Sequence, residues 1–178
     1  MKLPTIIGNI MIRNANESDI PRIAEIHICG WRYAYRGLIN DTELFSNRLV
    51  AKSILNIEKK YKDGINIIIY EDESDQILKG FAFHGPARDD DRKTSYEVYA
   101  LYIQPEFTRN GIGYELMQKA IEIAISKKFP EIIVWVLEKN IRGMNFYIKN
   151  GFIRDGKEKM IEEWKQKEIR MSLTIAST

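Results

Sequence analysis

The eight residues Tyr96–Ile103 constrain the fold of this chain more than any other segment. Side chains along a β-strand alternate between the two faces of the sheet. Alternation divides this run into Glu97, Tyr99, Leu101 and Ile103 on one face and Tyr96, Val98, Ala100 and Tyr102 on the other. Both sets are predominantly apolar, which is typical of a central strand covered on both sides. The sequence therefore predicts a sheet with helices on each face.

Hydrophobic periodicity and turn residues place the other elements around this strand. Gly30 is expected to end the first helix. The predicted order is strand, two helices, three strands, helix, strand, helix and two strands. The first nine elements lie at residues 10–13, 20–30, 49–62, 65–70, 77–83, 95–103, 114–127, 132–137 and 144–149, and the last two strands, with the turn between them, at 152–173. Early antiparallel hairpins followed by a strand–helix–strand crossover predict an α+β fold, with a central mixed, mostly antiparallel sheet of about seven strands.

Size and charge argue against several classes of protein. At 178 residues the chain has room for one domain, spanning 1–178. Its 27 Lys and Arg residues nearly balance its 25 Asp and Glu residues, and a net charge of +2 is too small for a dedicated nucleic-acid binder. The single cysteine, Cys29, cannot form an internal disulfide, and no cluster of Cys and His is available for a metal ion. Lacking an apolar run of about 18 residues and a signal-peptide pattern, the protein is expected to be cytoplasmic, with no membrane partner.

A glycine-containing loop follows the central strand and leads into a helix. Gly111 and Gly113 allow the backbone to approach a ligand closely, and the first N–H groups of the helix are unpaired donors at its positive end. Such a turn can bind a phosphate. The loop is neither a P-loop, because Tyr114 follows Gly113, nor a dinucleotide fingerprint, because position 116 is leucine. On this loop alone, a plain strand-to-helix turn is an equally good interpretation.

Two polar residues stand out from apolar surroundings. Glu97 is either a carboxylate at a wet strand end or a partly buried base. Tyr147 lies in a helix that Asn140 caps and Gly151 ends, a setting in which a tyrosine is more often core than catalytic. The residues alone leave both alternatives open.

Taken together, these segments resemble the GNAT superfamily of N-acetyltransferases over most of the chain. The family's acetyl-CoA loop, Gln/Arg-x-x-Gly-x-Gly/Ala, falls on residues 108–113, although Thr108 departs from the Gln or Arg of the family. The second family motif is Asn followed by a helix that ends in Phe-Tyr-x-x-x-Gly-Phe, and it matches at Asn140, Phe146, Tyr147, Gly151 and Phe152. The resemblance implies a twisted sheet whose central strands splay into a V-shaped cleft for acetyl-CoA.

The resemblance also implies roles for individual residues. Glu97 stands where many members carry a general base, and Tyr147 would protonate the departing thiolate. The backbone of 101–103 would pair with pantetheine and supply an N–H to the oxyanion. No metal ion is expected. The implied residues for acetyl-CoA, as co-substrate, are Leu101, Tyr102, Ile103, Thr108, Arg109, Asn110, Gly111, Ile112, Gly113, Tyr114, Asn140 and Tyr147.

The two catalytic candidates are expected to contribute unequally. Acetyl transfer needs a neutral amine, and an alkylammonium of pKa about 10.4 is deprotonated in roughly one of 2,500 molecules at pH 7, a cost of about 4.6 kcal/mol. A base at Glu97, acting directly or through water, would meet part of this cost. Proton transfer from a phenol to a thiolate runs uphill by about 2 kcal/mol. We therefore predict a smaller loss for Tyr147→Phe than for Glu97→Gln.

The acceptor is expected to be an amine of a small molecule, a polyamine or a peptide N-terminus. In the family, the loop between the first two helices commonly walls the acceptor site, and here it carries Trp31, Tyr33 and Tyr35. The rings of Trp31 and Tyr35, with Glu97, could hold a cationic amine. The segment 31–38 is similar to that of polyamine-acetylating members, and packing on the sheet is an equal alternative. A non-catalytic acyl-CoA-binding regulatory module is the alternative function, and a homodimer is compatible with either function.

Overall fold

The structure, a computed structural model, describes residues 10–46 and 49–175. The strands in this part of the chain are β1 (Ile10–Asn14), β2 (Asn66–Asp72), β3 (Ile77–Pro86), β4 (Tyr96–Ile103), β5 (Glu131–Leu137), β6 (Ile153–Ile161) and β7 (Gln166–Thr174). The helices are α1 (Ile20–Tyr35), α2 (Val50–Lys62), α3 (Ile112–Ser126) and α4 (Ile141–Lys149). Among these helices, none is long and apolar enough to cross a membrane.

One sheet joins the seven strands in the order β1-β2-β3-β4-β5-β7-β6. All neighbouring strands are antiparallel except β4 and β5, which are parallel because α3 crosses over between them. The prediction of an α+β fold with a mixed, mostly antiparallel sheet is confirmed.

The parallel pair at the centre of the sheet is very short. Tyr96 pairs with Ile132 and Glu97 with Ile133, and in the described part of the chain these are the two positions at which β4 and β5 pair. Beyond Glu97 the strands separate, while β5 continues to pair with β7 along its length. The expected splay of the central strands is confirmed, and it opens a cleft between them.

Helices cover both faces of the sheet, so two cores lie against β4. On one face, the buried Leu116 and Met117 of α3 pack with Val134 of β5. On the other face, Ile23 of α1 packs with Phe81 of β3. Burying one such side chain contributes about 1.5–3 kcal/mol, so the α1 and α3 layers hold β4 in place from opposite sides.

A β-bulge at Tyr99 decides which side chains share a face of β4. On β3 the neighbours His84 and Phe83 pair with Val98 and Ala100, so Tyr99 is an extra residue on β4. Strict alternation, as predicted, is therefore wrong beyond Tyr99, because the period of two holds only where each residue has one partner. The bulge places Leu101 and Ile103 with Tyr96 and Val98 in the core beside α3, and Tyr99, Ala100 and Tyr102 in the core beside α1.

Helix α1 runs past the glycine that was expected to end it. A Cβ atom on Gly30 would lie 2.9 Å from Cδ1 of Tyr102. The glycine therefore allows α1 to pack closely on β4, and the helix continues to Tyr35. Consequently Trp31, Tyr33 and Tyr35 lie on the last turns of α1, and the prediction that they belong to a loop is wrong.

Candidate active site

The loop from β4 to α3 forms a turn that is open to solvent on its outer side. Arg109 and Gly111 adopt left-handed backbone conformations with φ of 68° and 83°. An added Cβ on Gly111 would meet no atom within 4 Å, so space lies directly outside the turn. The exposed Gly111 is the N-cap of α3, whose first N–H groups are donors at the positive end of the helix. The turn thus fits a diphosphate in shape and charge.

Gly113 and Asn140 join this turn to α4. A Cβ on Gly113 would lie 3.2 Å from the Phe146 ring, so the glycine lets α3 and α4 pack closely. The Oδ1 atom of Asn140 accepts the N–H of Gly143 at 3.0 Å and caps α4. Both motif residues therefore have a local structural role, and contact of Asn140 with a cofactor stays a prediction.

Tyr33 links α1 to the two walls at the mouth of the cleft. The guanidinium carbon of Arg142, in the first turn of α4, lies 4.5 Å from the centre of the Tyr33 ring. A hydrogen bond with the Thr108 side chain, aided by the charges of Arg142 and Arg109, holds the pKa of Tyr33 below its usual value. Two guanidinium groups and the exposed turn therefore converge at a place where anionic groups would be stabilised. Arg142 lies within the second motif, at a position for which the motif specifies no residue type, so the motif gives no signal for its role.

Tyr147 lies on α4 in a partly buried setting. Its ring contacts those of Phe146 and Phe152, with centroid separations of 5.3 and 5.8 Å. Burial raises the pKa of Tyr147 well above its usual value, and the nearby Tyr35 and Glu168 raise it further. The phenol therefore stays protonated at neutral pH and can donate a hydrogen bond, but it is an even weaker acid than an ordinary tyrosine.

Glu97 is buried at the point where β4 and β5 separate, and Arg88 occupies its carboxylate. Oε2 of Glu97 accepts the backbone N–H of Arg88 at 3.0 Å and its Nε at 3.2 Å, and Oε1 accepts Nη2. The guanidinium carbon of Arg88 also lies 4.3 Å from the centre of the Tyr99 ring. Sequence reasoning missed this partner, because Arg88 follows β3 and no motif connects it to Glu97. No hydrogen bond or ion pair between described residues joins Glu97 to Tyr147.

The segment 87–95 is fastened to β7 by Arg170, which is 2% exposed. This guanidinium donates to carboxylates of Asp89 and Asp91 at 2.8 Å and of Asp155 at 2.6 Å. The indole N–H of Trp135 also donates to Asp89 at 3.0 Å. These contacts hold the segment against one face of β5 and β7. The alternation of side chains along the two strands shows that this is the face toward α1.

The aromatic residues at the end of α1 form part of a small core of their own. Trp31 is 3% exposed, and its ring contacts those of Tyr35 and Trp164 at centroid separations of 5.4 and 5.8 Å. Trp31 therefore supports Tyr35, which is partly buried and lies close enough to Tyr147 to influence its pKa. Contact of Trp31 or Tyr35 with an acceptor stays a prediction.

The remaining cofactor candidates differ in what they present to the cleft. Ile112 is buried in the core beside α3, so only its backbone can reach a ligand. The Tyr102 ring lies against α1, at a centroid separation of 5.2 Å from His27. Leu101 and Ile103 are partly buried on the α3 side, whereas Asn110 and Tyr114 are exposed. Within residues 10–46 and 49–175, no group of three or more His, Cys, Asp or Glu side chains could hold a metal ion.

Comparisons of sequence show the family of the chain. Residues 43–152 match the model of the acetyltransferase (GNAT) family. The chain is 32% identical over 133 residues to the uncharacterized N-acetyltransferase YuaI of Bacillus subtilis, covering 74% of this chain and 73% of that protein. It is 26% identical over 147 residues to the spermidine N(1)-acetyltransferase of Thermoplasma acidophilum, covering 81% and 88% respectively.

Comparison of structures supports the fold. The crystal structure of the PaiA N-acetyltransferase from Thermoplasma acidophilum in complex with coenzyme A superposes with a TM-score of 0.74 at 23% identity, over 94% of this chain and 99% of that one. A ribosomal-protein-alanine N-acetyltransferase from Brucella melitensis gives a TM-score of 0.69 at 21% identity, over 93% and 99%. Both likenesses concern the architecture of the sheet and its helices.

Proposed function

The chain belongs to the GNAT family of acetyltransferases and depends on acetyl-CoA, and we propose that it acetylates the primary amine of a small molecule, a polyamine or a peptide N-terminus. The amine attacks the thioester directly, with both substrates bound together. We extend the proposal to a single N-acetyltransferase domain over 1–178, since one sheet runs from β1 to β7. The spermidine N(1)-acetyltransferase among the relatives favours a polyamine.

The observation that carries the proposal is the separation of β4 from β5 directly after Glu97. It leaves the adjacent edge of β4 without a strand partner in the described part of the chain. At one end of this edge lies the exposed turn at Gly111, and α4 with Tyr147 lies on the same side of the sheet as α3. A long substrate with a diphosphate at one end and a thioester at the other matches this arrangement.

The residues present fit coenzyme A, which supplies the activated acetyl group when bound. N–H groups at Gly111, Ile112 and Gly113 are suited to the diphosphate, and Arg109 and Arg142 can pair with phosphate oxygens. Residues 101–103 pair with β3 on one edge, and their backbone groups on the opposite edge, toward the gap, can hydrogen-bond to the pantetheine amides and donate to the carbonyl oxygen as negative charge develops on it.

Glu97 is proposed as the base that takes a proton from the amine, directly or through water. Because Arg88 occupies its carboxylate, the direct role requires that Arg88 shift toward solvent, and its side chain is already 64% exposed. Tyr147 is proposed to donate a hydrogen bond to the departing sulfur. Tyr35 and Trp31 are proposed to line the acceptor site with Glu97.

Release of coenzyme A thiol from acetyl-CoA in the presence of an amine tests the function. The purified full chain is assayed with spermidine, n-butylamine, lysine and a peptide with a free N-terminus, with coenzyme A binding measured in parallel by calorimetry. We expect amine-dependent thiol release. Binding of coenzyme A without thiol release for any amine would instead favour a non-catalytic acyl-CoA-binding module.

A further inference from the structure

The ammonium group of Lys159 lies in a cage formed by one aromatic ring and one carboxylate. Its Nζ atom is 3.2 Å from Oε2 of Glu168 and 3.9 Å from the centre of the Trp135 ring. An aromatic face and a carboxylate are the two groups that most readily hold an alkylammonium ion. Lys159 therefore marks a site with the chemistry of a primary-amine subsite.

The cage lies on the acceptor side of the cleft. Lys159 pairs with Glu168 across β6 and β7, and Glu168 pairs in turn with Leu137 of β5. Leu137 packs into the core that contains Trp31 and Tyr35, which places this row of side chains on the face toward α1. Trp135 precedes Leu137 by two residues and lies on the same face. It belongs to β5, which forms one wall of the cleft.

Glu168 is also close to the proposed reaction centre. Its carboxylate is near enough to the Tyr147 hydroxyl to contribute to the raised pKa of that group. A ligand cation held by Glu168 would therefore lie close to the place where a thioester would meet Tyr147. This proximity agrees with the position of the cage but does not by itself define the ligand.

Lys159 can be displaced from the cage. It belongs to β6, an edge strand, and its side chain is 44% exposed, whereas that of Glu168 is 19% exposed. The flexible lysine stem allows the ammonium to move into water without a change in the backbone. The cage walls are thus more buried than their occupant.

We propose that Trp135 and Glu168 bind one ammonium group of an aliphatic polyamine acceptor, and that Lys159 occupies this subsite until the acceptor displaces it. The proposal rests on the acetyltransferase function proposed above and names the class of acceptor. A monoamine has one nitrogen, which must be neutral to react, so it gains nothing from a second cation site.

The carboxylates beside Trp135 outnumber the guanidinium groups that pair with them by one, and Arg170 among these lies 5.6 Å from the centre of the Trp135 ring. Three carboxylates, those of Asp89, Asp91 and Asp155, gather beside Trp135 around two guanidinium groups, those of Arg170 and Arg92. The side chain of Asp91 is 50% exposed. Further ammonium groups of a polyamine can therefore lie near negative charge after the first enters the cage.

Lys159→Met tests the proposal, because methionine keeps most of the length of the side chain and removes its charge. We expect the KM for spermidine to fall by about threefold or more, and the KM for n-butylamine to stay unchanged, since removal of one weak competing contact is worth about this factor. Lys167→Met is the matched control. It breaks the ion pair of Lys167 with Glu158, 2.9 Å long on the same hairpin, without touching Trp135.

A second variant, Glu168→Gln, keeps the test decisive should Lys159→Met fail to fold. It should raise the KM for spermidine by about tenfold and leave that for n-butylamine unchanged. Unchanged spermidine KM values, or equal changes for both amines, would overturn the proposal. Calorimetric titration with spermidine separates the failure of this proposal from the failure of the acetyltransferase function. Tighter spermidine binding by Lys159→Met without turnover would support the subsite and refute the acetyltransferase function with these amines. Turnover of spermidine without an effect of either variant would support the acetyltransferase function and refute the subsite.

Discussion

The side chain of Glu97 is 2% exposed, whereas the side chain of Arg88 that pairs with it is 64% exposed. The group that faces solvent at this point of the cleft is therefore a cation, although the group beneath it is a candidate base. An amine that approaches Glu97 must displace Arg88 or take its proton transfer through a water molecule. This relationship gives the first prediction.

Glu97→Gln should lower kcat/KM for the amine by about 100-fold or more, and Tyr147→Phe by less than about tenfold, because a positioned base contributes more than a phenol of raised pKa. The Arg88→Met variant distinguishes a catalytic role of Glu97 from a purely structural role of its ion pair with Arg88. If Glu97 acts as the base, Arg88→Met retains most of the activity. If the ion pair is purely structural, both variants lose activity and thermal stability in parallel, which would contradict the assigned role.

Gly111→Ala should weaken coenzyme A binding. An alanine at φ of 83° is strained by about 1–2 kcal/mol, and its relaxation would turn N–H groups away from the diphosphate. Gly64→Ala is the control, because Gly64 has a φ of 87° and an equally open Cβ position at the end of α2. Calorimetry should detect weaker coenzyme A binding in the first variant only, while both unfold more easily. Equal dissociation constants would argue against the turn as the diphosphate site.

Arg142→Met should raise the dissociation constant of coenzyme A by about tenfold, the effect of removing one charge-assisted hydrogen bond. The reason is that Thr108 offers no long cationic side chain, and Arg142 lies beside it through Tyr33. Lys149→Met, at the other end of α4, should leave the constant unchanged. The Arg142 effect should shrink as salt is added, and a salt-independent loss would point to a packing defect instead.

His84 should make the protein less stable below neutral pH. Burial lowers the pKa of His84 from 6.5 to about 4, with a smaller contribution from Lys127. Between these values the unfolded chain binds a proton that the folded chain excludes, so stability falls as the pH drops from 6.5 to 4, by about 3 kcal/mol in all. Urea unfolding should show that, as the pH drops from 6.5 to 4, the free energy of unfolding of the wild type falls by this amount more than that of His84→Gln. An NMR titration midpoint near 6.5 for His84 would refute the prediction.

Arg170→Met should destabilise the protein by about 3–5 kcal/mol, because three carboxylates would lose a buried partner. The exposed pair of Lys93 and Asp90 provides the comparison, and Lys93→Met should have no measurable effect. Urea unfolding curves measure both. A small change for Arg170→Met would mean that water replaces the lost contacts and that the segment 87–95 is not held by this residue.

The sequence predicted those features that depend on local pattern. The order of elements, the glycine turn and the cap at Asn140 follow from periodicity and from residue types at fixed spacing. Gly30 was misjudged because a glycine that ends a helix and one that admits a neighbouring ring look alike in sequence. The bulge at Tyr99 is set by pairing with β3, which alternation along one strand cannot detect.

The ion pairs of the site were beyond sequence reasoning for a related reason. Arg88 and Glu97 meet because two antiparallel strands return to the same end of the sheet. Lys159 on β6 reaches Trp135 on β5 across the intervening strand β7, and nothing in either segment indicates the other. Contacts between distant segments depend on register and rotamer, and these are fixed only when the whole sheet has assembled.

The gap between β4 and β5 divides the protein into parts with different freedom to evolve. Every residue type except proline supplies both a backbone N–H and a C=O along that gap, so most point mutations in β4 leave in place the main-chain hydrogen bonds proposed there for the cosubstrate. The subsite proposed at Trp135 and Glu168, by contrast, depends on side chains that a single codon change replaces. Descendants of this chain could therefore exchange one acceptor for another while the machinery that delivers the acetyl group persists.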